Sequence, residues 1–496
     1  MRPARRRLQT SCRTVLSLAL LVAIAVSPTT QTQAASAAKP GHRIAAQVGD
    51  PRQMRFDPVA FSPSEPTRVE LPNGMIVYLL EDHELPLVTV SATVRTGAWL
   101  DPADKVGVAQ LTGMTMRTGG TQRMSAADLD EELEHLAAHM AVTIGVESGV
   151  GMLDVLKKDL ARGLRLFADV LRAPAFEPAR VELAKLQALE SIRRRQDHPQ
   201  SIASREFAKL LYGPDHPFAR ESSVQSITRM TREDLAAFHA ATFHPNGMIV
   251  AVTGDFEKDA MVAELRAIFG DWTPGQVPAI LFPPVSGAGE RAVRFVGKGT
   301  TQTHIRAGHL SLKEDDPDYP ALLLLNDILG GGSFRSRLFQ DVRSRRGLAY
   351  SVKSVLRAGA RERGVWGMST ETKTGSTQEM LTLLVANMER LREQPVTDEE
   401  LAEAKDAFVN SFVFSFSSPS AIVNRRVQLE YDGLPKDFIQ RLRDRVVALT
   451  KEDLLRVARV HLHPDQLKIL AVGPAETAAS LGTFGDVKEI LLAPEG

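Results

Sequence analysis

The sequence of 496 residues is almost free of cysteine, since Cys12 is the only one. Cys12 precedes an apolar run from Val15 to Val26 and would leave with a cleaved N-terminal segment. The mature chain would then have no thiol, which excludes disulfide bonds and thiolate metal ligands. Its stability must therefore come from packed apolar cores.

The chain also lacks an excess of charge and lacks long apolar runs. Lysine and arginine total 60, and aspartate and glutamate total 60, so the charge gives no indication of a nucleic-acid partner. The run Val15–Val26 is shorter than the about 20 apolar residues that span a bilayer, and no later segment qualifies. We expect no membrane span once the N-terminal segment is removed.

The N-terminus is instead typical of a secretory signal peptide. Five arginines among the first 13 residues precede the apolar run, and small residues from Ala34 to Ala38 follow it. The pattern predicts a signal peptide over residues 1–37 and a periplasmic or secreted mature protein. Residues 38–65 are rich in proline and polar side chains, which predicts a linker or N-terminal arm.

Two segments of the chain repeat each other. Thr231–Gly254 and Thr450–Gly473 share Thr-x-Glu-Asp-Leu, then His-Pro, then an apolar strand that ends in glycine, at an offset of 219 residues. A period this long indicates two duplicated domains. A second set of residues recurs at an offset of 220, namely Ala184, Pro199 and Arg205 with Ala404, Pro419 and Arg425.

A stretch over residues 273–290 contains several prolines and glycines, which predicts a linker between the two halves. The sequence thus predicts one domain over residues 66–272 and a second over residues 291–496. Strand and helix patterns mix in both halves without strict βαβ alternation. We therefore expect an α+β fold with a mixed or antiparallel sheet packed against helices.

Local patterns predict particular elements. Asn73-Gly74 between two apolar runs predicts a hairpin, and Val88–Thr96 alternates as a half-buried strand does. Thr231 predicts the N-cap of a helix. Further helices are expected over Ala126–His139, Leu153–Arg172, Pro178–Arg195, Tyr319–Leu329, Gln378–Arg392 and Asp398–Phe416, and further strands over Met248–Val252, near Val293 and His304, and over Leu348–Leu356 and Gly364–Ser369.

Three stretches stand out by their residue order: LPNGMIVYLLED at Leu71–Asp82, the segment Gly107–Thr121 and the segment Ser336–Val352. Together they resemble the insulinase/pitrilysin family of zinc metallopeptidases, in particular its bacterial processing-peptidase-like branch. The repeated segments fit the same family, and the likeness covers nearly all of the predicted mature chain. The resemblance implies two homologous domains that form a half-clamshell.

The resemblance also implies where zinc would be bound. Active members carry His-x-x-Glu-His on a helix, whose two histidines bind zinc and whose glutamate activates water. Those positions here read Gln110, Gly113 and Met114, which supply neither ligands nor a base. Glu190 lies roughly where the family's third ligand would be, and Asn410 takes that place in the second half. We therefore expect no metal in this chain.

A separate pair of histidines offers another possible metal site. His135 and His139 stand four residues apart on a predicted helix, which is the spacing of zinc ligands on one helical face. Their helix follows the one that should carry the motif, so the spacing is out of register with the family. We favour two polar histidines on a partly exposed helix over a metal site.

Arg343 and Tyr350 have the spacing of an arginine and a tyrosine with which members of the family hold the substrate backbone and stabilise the oxyanion. Without the resemblance, these residues would fit a helix end with Gly347 as its C-cap, followed by a tyrosine in a core strand. We favour the clamp. The run Gly330-Gly331-Gly332 predicts a flexible turn and is a candidate for contact with an extended substrate.

Lost ligands and a retained clamp together predict one subunit of a heterodimeric zinc peptidase. A homologous partner would carry His-x-x-Glu-His and the zinc, and the two chains would enclose a chamber for peptide substrates. This chain alone would be inactive. The alternative is a non-catalytic homologue that binds peptides or scaffolds an exported complex. A self-sufficient peptidase that uses His135 and His139 is the least favoured hypothesis.

Overall fold

Each half of the chain builds one six-stranded sheet in the computed structural model, which describes residues 64–285, 289–332 and 334–493. The predicted signal peptide, with Cys12, lies outside these residues, as does the predicted N-terminal arm apart from residues 64 and 65. The strands are β1 (Thr67–Glu70), β2 (Ile76–Glu81), β3 (Leu87–Val94), β4 (His139–Ile144), β5 (Gly149–Leu156), β6 (Met248–Gly254), β7 (Ala292–Gly297), β8 (Gln302–Leu310), β9 (Val352–Arg357), β10 (Val365–Lys373), β11 (Lys468–Gly473) and β12 (Val487–Glu489).

The two sheets share one topology. Their strand orders are β1-β2-β6-β3-β5-β4 and β12-β7-β11-β8-β10-β9. In the first sheet β6 runs parallel to β2 and antiparallel to β3, and in the second β11 runs parallel to β7 and antiparallel to β8. The repeated segments of the sequence therefore occupy equivalent positions. This confirms the duplication and the α+β class with mixed sheets.

The repeated Thr-x-Glu-Asp-Leu motif begins a helix in both halves. Thr231 and Thr450 each accept a hydrogen bond from the backbone N–H of the aspartate three residues on, and that aspartate accepts one from the threonine N–H. Such a capping box satisfies two N–H groups that a helix start leaves free. The helices are α1 (Val108–Thr118), α2 (Ala126–His135), α3 (Leu160–Arg172), α4 (Pro178–Arg194), α5 (Pro199–Tyr212), α6 (Val224–Arg229), α7 (Arg232–Thr242), α8 (Lys258–Phe269), α9 (Tyr319–Asn326), α10 (Thr377–Glu393), α11 (Asp398–Phe414), α12 (Pro419–Asp432), α13 (Phe438–Ala448), α14 (Lys451–His461) and α15 (Thr477–Leu481).

The lengths and composition of these helices bear on membrane insertion. Across the described ranges, none of the helices has both the length and the apolar character that crossing a bilayer requires. The longest, α4, α10 and α11, have 17 residues each and carry several charged side chains. The structure therefore gives no membrane span in this part of the chain.

Helix α5 extends from the first half onto the second sheet. Ile202 and Phe207 form an apolar cluster with Val296 of β7 and Leu470 of β11. Neighbouring Ile469 belongs instead to the main core of the second half. Side chains alternate between the two faces of a strand. Helix α5 of the first half therefore covers the face of the second sheet that the helices of the second half leave open.

In the same way, a helix of the second half covers the first sheet. Helix α12 of the second half packs Val423 and Val427 against Tyr78 of β2 and Ile249 of β6. The Tyr78 hydroxyl also donates a hydrogen bond of 2.9 Å to Glu430 on the same helix. Each half therefore completes the fold of the other. The predicted limits of the two domains and of the linker between them stay predictions.

Two predicted helices include residues that the structure places in strands. Helix α2 ends at His135, because Ala137 has a φ of 49° in the left-handed region, and the chain then enters β4 at His139. Leu153 lies in β5, where buried and more exposed residues alternate, and α3 begins only at Leu160. The predictions were wrong at these ends because apolar spacing over a few residues fits a helix and a strand equally well.

The hairpin around Asn73-Gly74 is confirmed, since β1 and β2 pair antiparallel and Gly74 has a φ of 82°. In the second half, the predicted helix from Tyr319 ends as an α-helix at Asn326 and continues as a π-helical turn over Asp327–Gly331. A second π-helical turn covers Phe339–Ser344. Such turns are rare and often lie at functional sites.

The exchange of α5 and α12 predicts that the two halves unfold together. Ile202→Ala removes a fully buried side chain from α5 and is expected to destabilise the protein by about 2–5 kcal/mol. Val423→Ala likewise truncates a fully buried side chain of α12 and is expected to destabilise the protein. Urea unfolding should show a single transition at a lower midpoint for both variants, and Ser201→Ala, exposed on α5, is the control. Two transitions, of which Ile202→Ala moves only one, would contradict the joint unfolding.

Candidate functional site

Helix α1 carries the degenerate zinc motif, and a buried carboxylate holds its first turn. Asp101 accepts hydrogen bonds from the N–H of Gly107 at 2.7 Å and from the N–H of Ala109 at 3.0 Å. Gly107 has a φ of 107°, which other residues adopt only with strain. Burial raises the pKa of Asp101 to about 6, even though the two hydrogen bonds favour its charged form. The start of α1 is therefore firmly fixed.

The three motif positions on α1 have different surroundings. Gln110 is exposed, and Met114 is half-buried against the apolar core of the first half. Gly113 is buried against β4, where a Cβ atom would lie 2.8 Å from the backbone nitrogen of Ile144. This close approach explains a glycine in mid-helix, which otherwise costs about 1 kcal/mol relative to alanine. A larger side chain at this position requires β4 to move.

These residues do not fit zinc. An amide, a hydrogen atom and a thioether stand where two imidazoles and a carboxylate are needed. Glu190 on α4 and Asn410 on α11 are both exposed. Among the residues that the structure describes, only one group of three ligand atoms comes within 4.8 Å, that of Asp316, Asp318 and His461. The lack of metal in the chain itself stays a prediction.

The group of Asp316, Asp318 and His461 is an ion-pair network. Asp318 accepts hydrogen bonds of 2.7 and 3.1 Å from the Arg456 guanidinium, and the His461 ring lies 2.9 Å from the same carboxylate. Arg456 and His461 belong to α14, and Asp318 immediately precedes α9. The network ties these two helices together. A metal ion would have to displace the bidentate guanidinium.

His135 and His139 do not share a helical face. His135 is the last residue of α2 and His139 the first of β4, and both are exposed. Ala137 in the left-handed region separates them. The spacing of zinc ligands along a helix is therefore absent here, and two polar histidines at the surface remain.

Arg343 and Tyr350 lie together on the surface of the second half. The guanidinium carbon of Arg343 lies 4.5 Å from the centre of the Tyr350 ring and 4.8 Å from the centre of the Phe339 ring. Cation–π contacts thus hold the guanidinium between two rings. Tyr350 is 83 % exposed and precedes β9, so the alternative of a tyrosine in the core is wrong.

Arg343 differs from the two other arginines that follow it. Arg345 forms an ion pair with Asp341 at 2.6 Å, and Arg346 forms one with Glu379 at 2.9 Å. The half-buried Arg343 guanidinium has no ion pair and no hydrogen bond to any described residue, and it lies against the two rings. Helix-end electrostatics account for the paired arginines. They do not account for Arg343.

Sequence reasoning missed two aromatic residues beside this pair. Phe334 is 72 % exposed, and its ring meets that of Phe339 edge to face with the centres 4.9 Å apart. The spacing of four residues between Phe339 and Arg343 was an available signal, because it places both on one side of a helical turn. Phe334 carries no such signal. We call Phe334, Phe339, Arg343 and Tyr350 the clamp cluster.

Packing accounts for part of the glycine run before the clamp cluster. A Cβ atom at Gly330 would lie 2.8 Å from a backbone nitrogen of β9, and one at Gly331 would overlap the Asn326 amide. Gly332 is exposed. Gly347, the predicted C-cap, has a φ of 62° and closes the π-helical turn that holds Arg343. Contact between the glycine run and a substrate stays a prediction.

The duplicated α+β halves, the motif helix without zinc ligands and the half-buried arginine beside an exposed tyrosine fit a metallopeptidase homologue with a degenerate metal site. Residues 76–213 match the family model described as Insulinase (Peptidase family M16). Residues 229–408 match the model described as Peptidase M16 inactive domain. The chain therefore belongs to the insulinase family of peptidases and their homologues.

Individual relatives agree with this assignment. An uncharacterized zinc protease of Streptomyces coelicolor is 27 % identical over 79 % of this chain and 86 % of its own length. The non-peptidase homolog YmxG of Helicobacter pylori is 23 % identical over 79 % of this chain and 90 % of its own. The crystal structure of a peptidase M16 inactive domain from Pseudomonas fluorescens superimposes with a TM-score of 0.74 at 26 % identity, over 83 % of this chain and 99 % of that one.

Restoring the motif is predicted not to restore zinc binding. In a variant with Gln110→His, Gly113→Glu and Met114→His, the new side chain at position 113 meets β4 and buries a charge. We expect less than stoichiometric zinc by elemental analysis and a loss of at least about 2 kcal/mol in unfolding free energy. Gln110→His alone, at an exposed position, should change stability by no more than about 0.5 kcal/mol. One tightly bound zinc ion in the stable triple variant would refute this view of α1.

Asp101 is predicted to make stability depend on pH. Its pKa in the folded protein is about 6, above its ordinary value of 3.8, so the folded state holds the proton more tightly. This proton stabilises the folded state at low pH. As the pH rises from about 4 to 6, the protein loses roughly 2–3 kcal/mol of unfolding free energy from this group. Urea unfolding across that range should show a weaker pH dependence for Asp101→Asn. Asp104→Asn, at an exposed position, should keep the dependence of the wild type.

Proposed function

We propose that this chain is the non-catalytic subunit of a two-chain zinc peptidase. A homologous partner with the His-x-x-Glu-His motif would bind the zinc and activate the water. This chain would supply one wall of the peptide chamber and present the clamp cluster to the partner's site. On its own it would have no peptidase activity.

One combination of observations supports the proposal. The motif helix α1 is closed against β4 by Gly113, whereas the half-buried Arg343 keeps its donors unused by any described side chain beside the exposed Tyr350. A homologue that served only as a scaffold would have no need to keep an unpaired guanidinium beside an exposed tyrosine. A clamp for a peptide requires such an arrangement, since both side chains donate hydrogen bonds to carbonyl oxygens.

The chemistry of the clamp follows from its geometry. The Phe339 and Tyr350 rings both lie against the guanidinium of Arg343, which restricts the positions of its donors before a substrate arrives. A fixed guanidinium can bind a backbone carbonyl of the substrate. The phenol of Tyr350 can donate one hydrogen bond where negative charge develops on the carbonyl under attack. Phe334 and Phe339 would supply an apolar surface for the neighbouring side chain of the substrate.

We further propose that the mature protein acts in the periplasm or outside the cell. The support is the N-terminal order of arginines, apolar run and small residues, which is typical of an exported precursor. The absence of cysteine after residue 12 suits an exported chain whose fold depends on packed cores.

A second candidate function is a peptide-binding or scaffolding role without catalysis in any complex. The name of the Helicobacter pylori relative, a non-peptidase homolog, favours it. Both candidates predict that the isolated chain is inactive. They differ in whether the clamp cluster contributes to turnover once a partner has bound.

The test uses affinity purification of the tagged chain from the exporting cells, followed by peptidase assays on the recovered complex. We predict that Arg343→Ala lowers kcat/KM of the complex about 100-fold or more, as loss of an oxyanion-type donor does, without loss of assembly. Tyr350→Phe keeps the ring that stacks on Arg343 and removes only the hydroxyl, so its effect should fall mainly on kcat.

Matched variants control for structure. Arg346→Ala removes a neighbouring arginine that is engaged by Glu379, and it should leave turnover unchanged. Arg343→Lys keeps the charge but loses the planar stacking, and it should recover only part of the activity. Unchanged turnover in both Arg343→Ala and Tyr350→Phe would remove the clamp role. A complex without peptidase activity would favour the scaffolding function.

A further inference from the structure

A groove of about 570 Å³ lies between α5 and the part of the second sheet that α5 leaves uncovered. Phe207, Leu211 and Tyr212 of α5 form one wall, and strands β9 and β10 form the floor. The first half of the chain thus supplies the wall and the second half the floor. No member of the clamp cluster lines this groove.

The middle of the floor is shallow because it is built from glycine. Gly308 of β8 pairs in register with Gly367 of β10, and Val355 of β9 lies next to Gly367 on the other side. A Cβ atom at Gly367 would meet the ring of Phe207 at 3.9 Å, which is ordinary van der Waals contact, so the Phe207 ring lies over this strand. The apolar surface that a side chain of a ligand can contact is therefore formed by Phe207 and Val355.

A row of polar side chains crosses the floor two residues further along β10. Ser369 is in register with Arg306 of β8 on one side and with Lys353 of β9 on the other, and all three line the groove. Neighbouring strands lie about 4.8 Å apart, so the backbone positions of Arg306 and Lys353 flank that of Ser369 at about that spacing. Two cations and a hydroxyl donor suit a carboxylate.

The two cations of this row form few ion pairs or hydrogen bonds within the described part of the chain. Lys353 is exposed and has no ion pair or hydrogen bond there. Arg306 is half-buried and donates one hydrogen bond of 3.3 Å to the Ser204 hydroxyl on α5. Burial lowers the pKa of Arg306, while the negative charge of Glu371 acts to raise it. The Glu371 carboxylate also accepts a hydrogen bond from the Gln200 amide. An anion in the row would restore interactions that this guanidinium lost with water.

The remaining charges of the groove restrict the kind of ligand. Glu147 and Glu362 also line it, together with Arg357 and Arg363. These two carboxylates interrupt the cationic surface, whereas a nucleic acid carries a negative charge on every phosphate and favours an unbroken row of cations. A peptide with one carboxylate needs only the cations beside Ser369 and can place an apolar side chain against Phe207 and Val355.

We propose that this groove binds an extended peptide segment that carries an acidic side chain and, two residues away, an apolar one. The acidic side chain lies over Ser369 between Arg306 and Lys353. Two residues of extended chain span about 6.7 Å, which matches the separation of Ser369 and Gly367 along β10, so the apolar side chain reaches Phe207 and Val355 beside Gly367. The site therefore selects a Glu-x-Leu pattern and does not depend on the clamp cluster.

The test measures the binding of a labelled peptide, Ser-Thr-Glu-Thr-Leu-Thr-Ser, to the purified chain by fluorescence anisotropy. We expect it to bind at least about tenfold more tightly than the peptide with Gln in place of Glu, because a charge-assisted hydrogen bond is lost. A peptide with Ser in place of Leu should be weakened about fivefold. Binding of the first peptide should also weaken with added salt.

Variants of the chain test whether the peptide binds in the groove. Lys353→Glu should abolish the preference for Glu over Gln, whereas Lys373→Glu, exposed on the same strand but outside the groove, should preserve it. Arg346→Ala, which lies outside both the groove and the clamp cluster, should have no effect. Equal binding of the Glu and Gln peptides, or a Lys353→Glu variant that binds like the wild type, would overturn the proposal. Tighter binding of a single-stranded oligonucleotide that Lys353→Glu abolishes would also overturn it.

Discussion

The reciprocal packing of α5 and α12 is the interaction on which the rest of the structure depends. Strand β11 is buried along its whole length and β6 at all but its last residue, so each sheet must be covered on both faces. The helices of one half supply only one of the two layers that its sheet requires. Ile202 and Phe207 from one side, and Val423 and Val427 from the other, supply the second layer. Neither half can bury its central strands alone, and burial of apolar surface is the main driving force of folding.

Because each half must cover the other's sheet, the two duplicated halves can differ in sequence and structure only at positions outside this shared packing. The first half has closed its motif helix against β4 through Gly113, and Asp101 fixes the start of that helix. The second half places a half-buried arginine beside two aromatic rings. The motif positions of the first half therefore serve packing, while the second half carries a guanidinium that no described side chain pairs with. Both changes lie away from α5 and α12, so the joint between the halves is unaffected.

Much of this fold could be predicted from the sequence, and the failures have a common cause. The turn at Asn73-Gly74 and the capping boxes at Thr231 and Thr450 are local, since neighbouring residues determine them. The left-handed Ala137, which ends α2 and separates His135 from His139, follows from tertiary packing and has no residue signature. The offset of 220 residues between Pro199 and Pro419 revealed the duplication. It could not reveal that the two helices beginning there cover each other's sheets.

The same limit explains why the arginine–tyrosine pair was foreseen and its surroundings were not. Arg343 and Tyr350 are seven residues apart, and one turn closed by Gly347 is enough to bring them together. Phe334 and the groove beside α5 depend on a loop and on contacts between distant segments. The groove exists because α5, having packed on β11 and β8, leaves β9 and part of β10 uncovered. A helix that the fold requires for stability thereby becomes the wall of a binding site, so any ligand there also contacts the joint between the two halves.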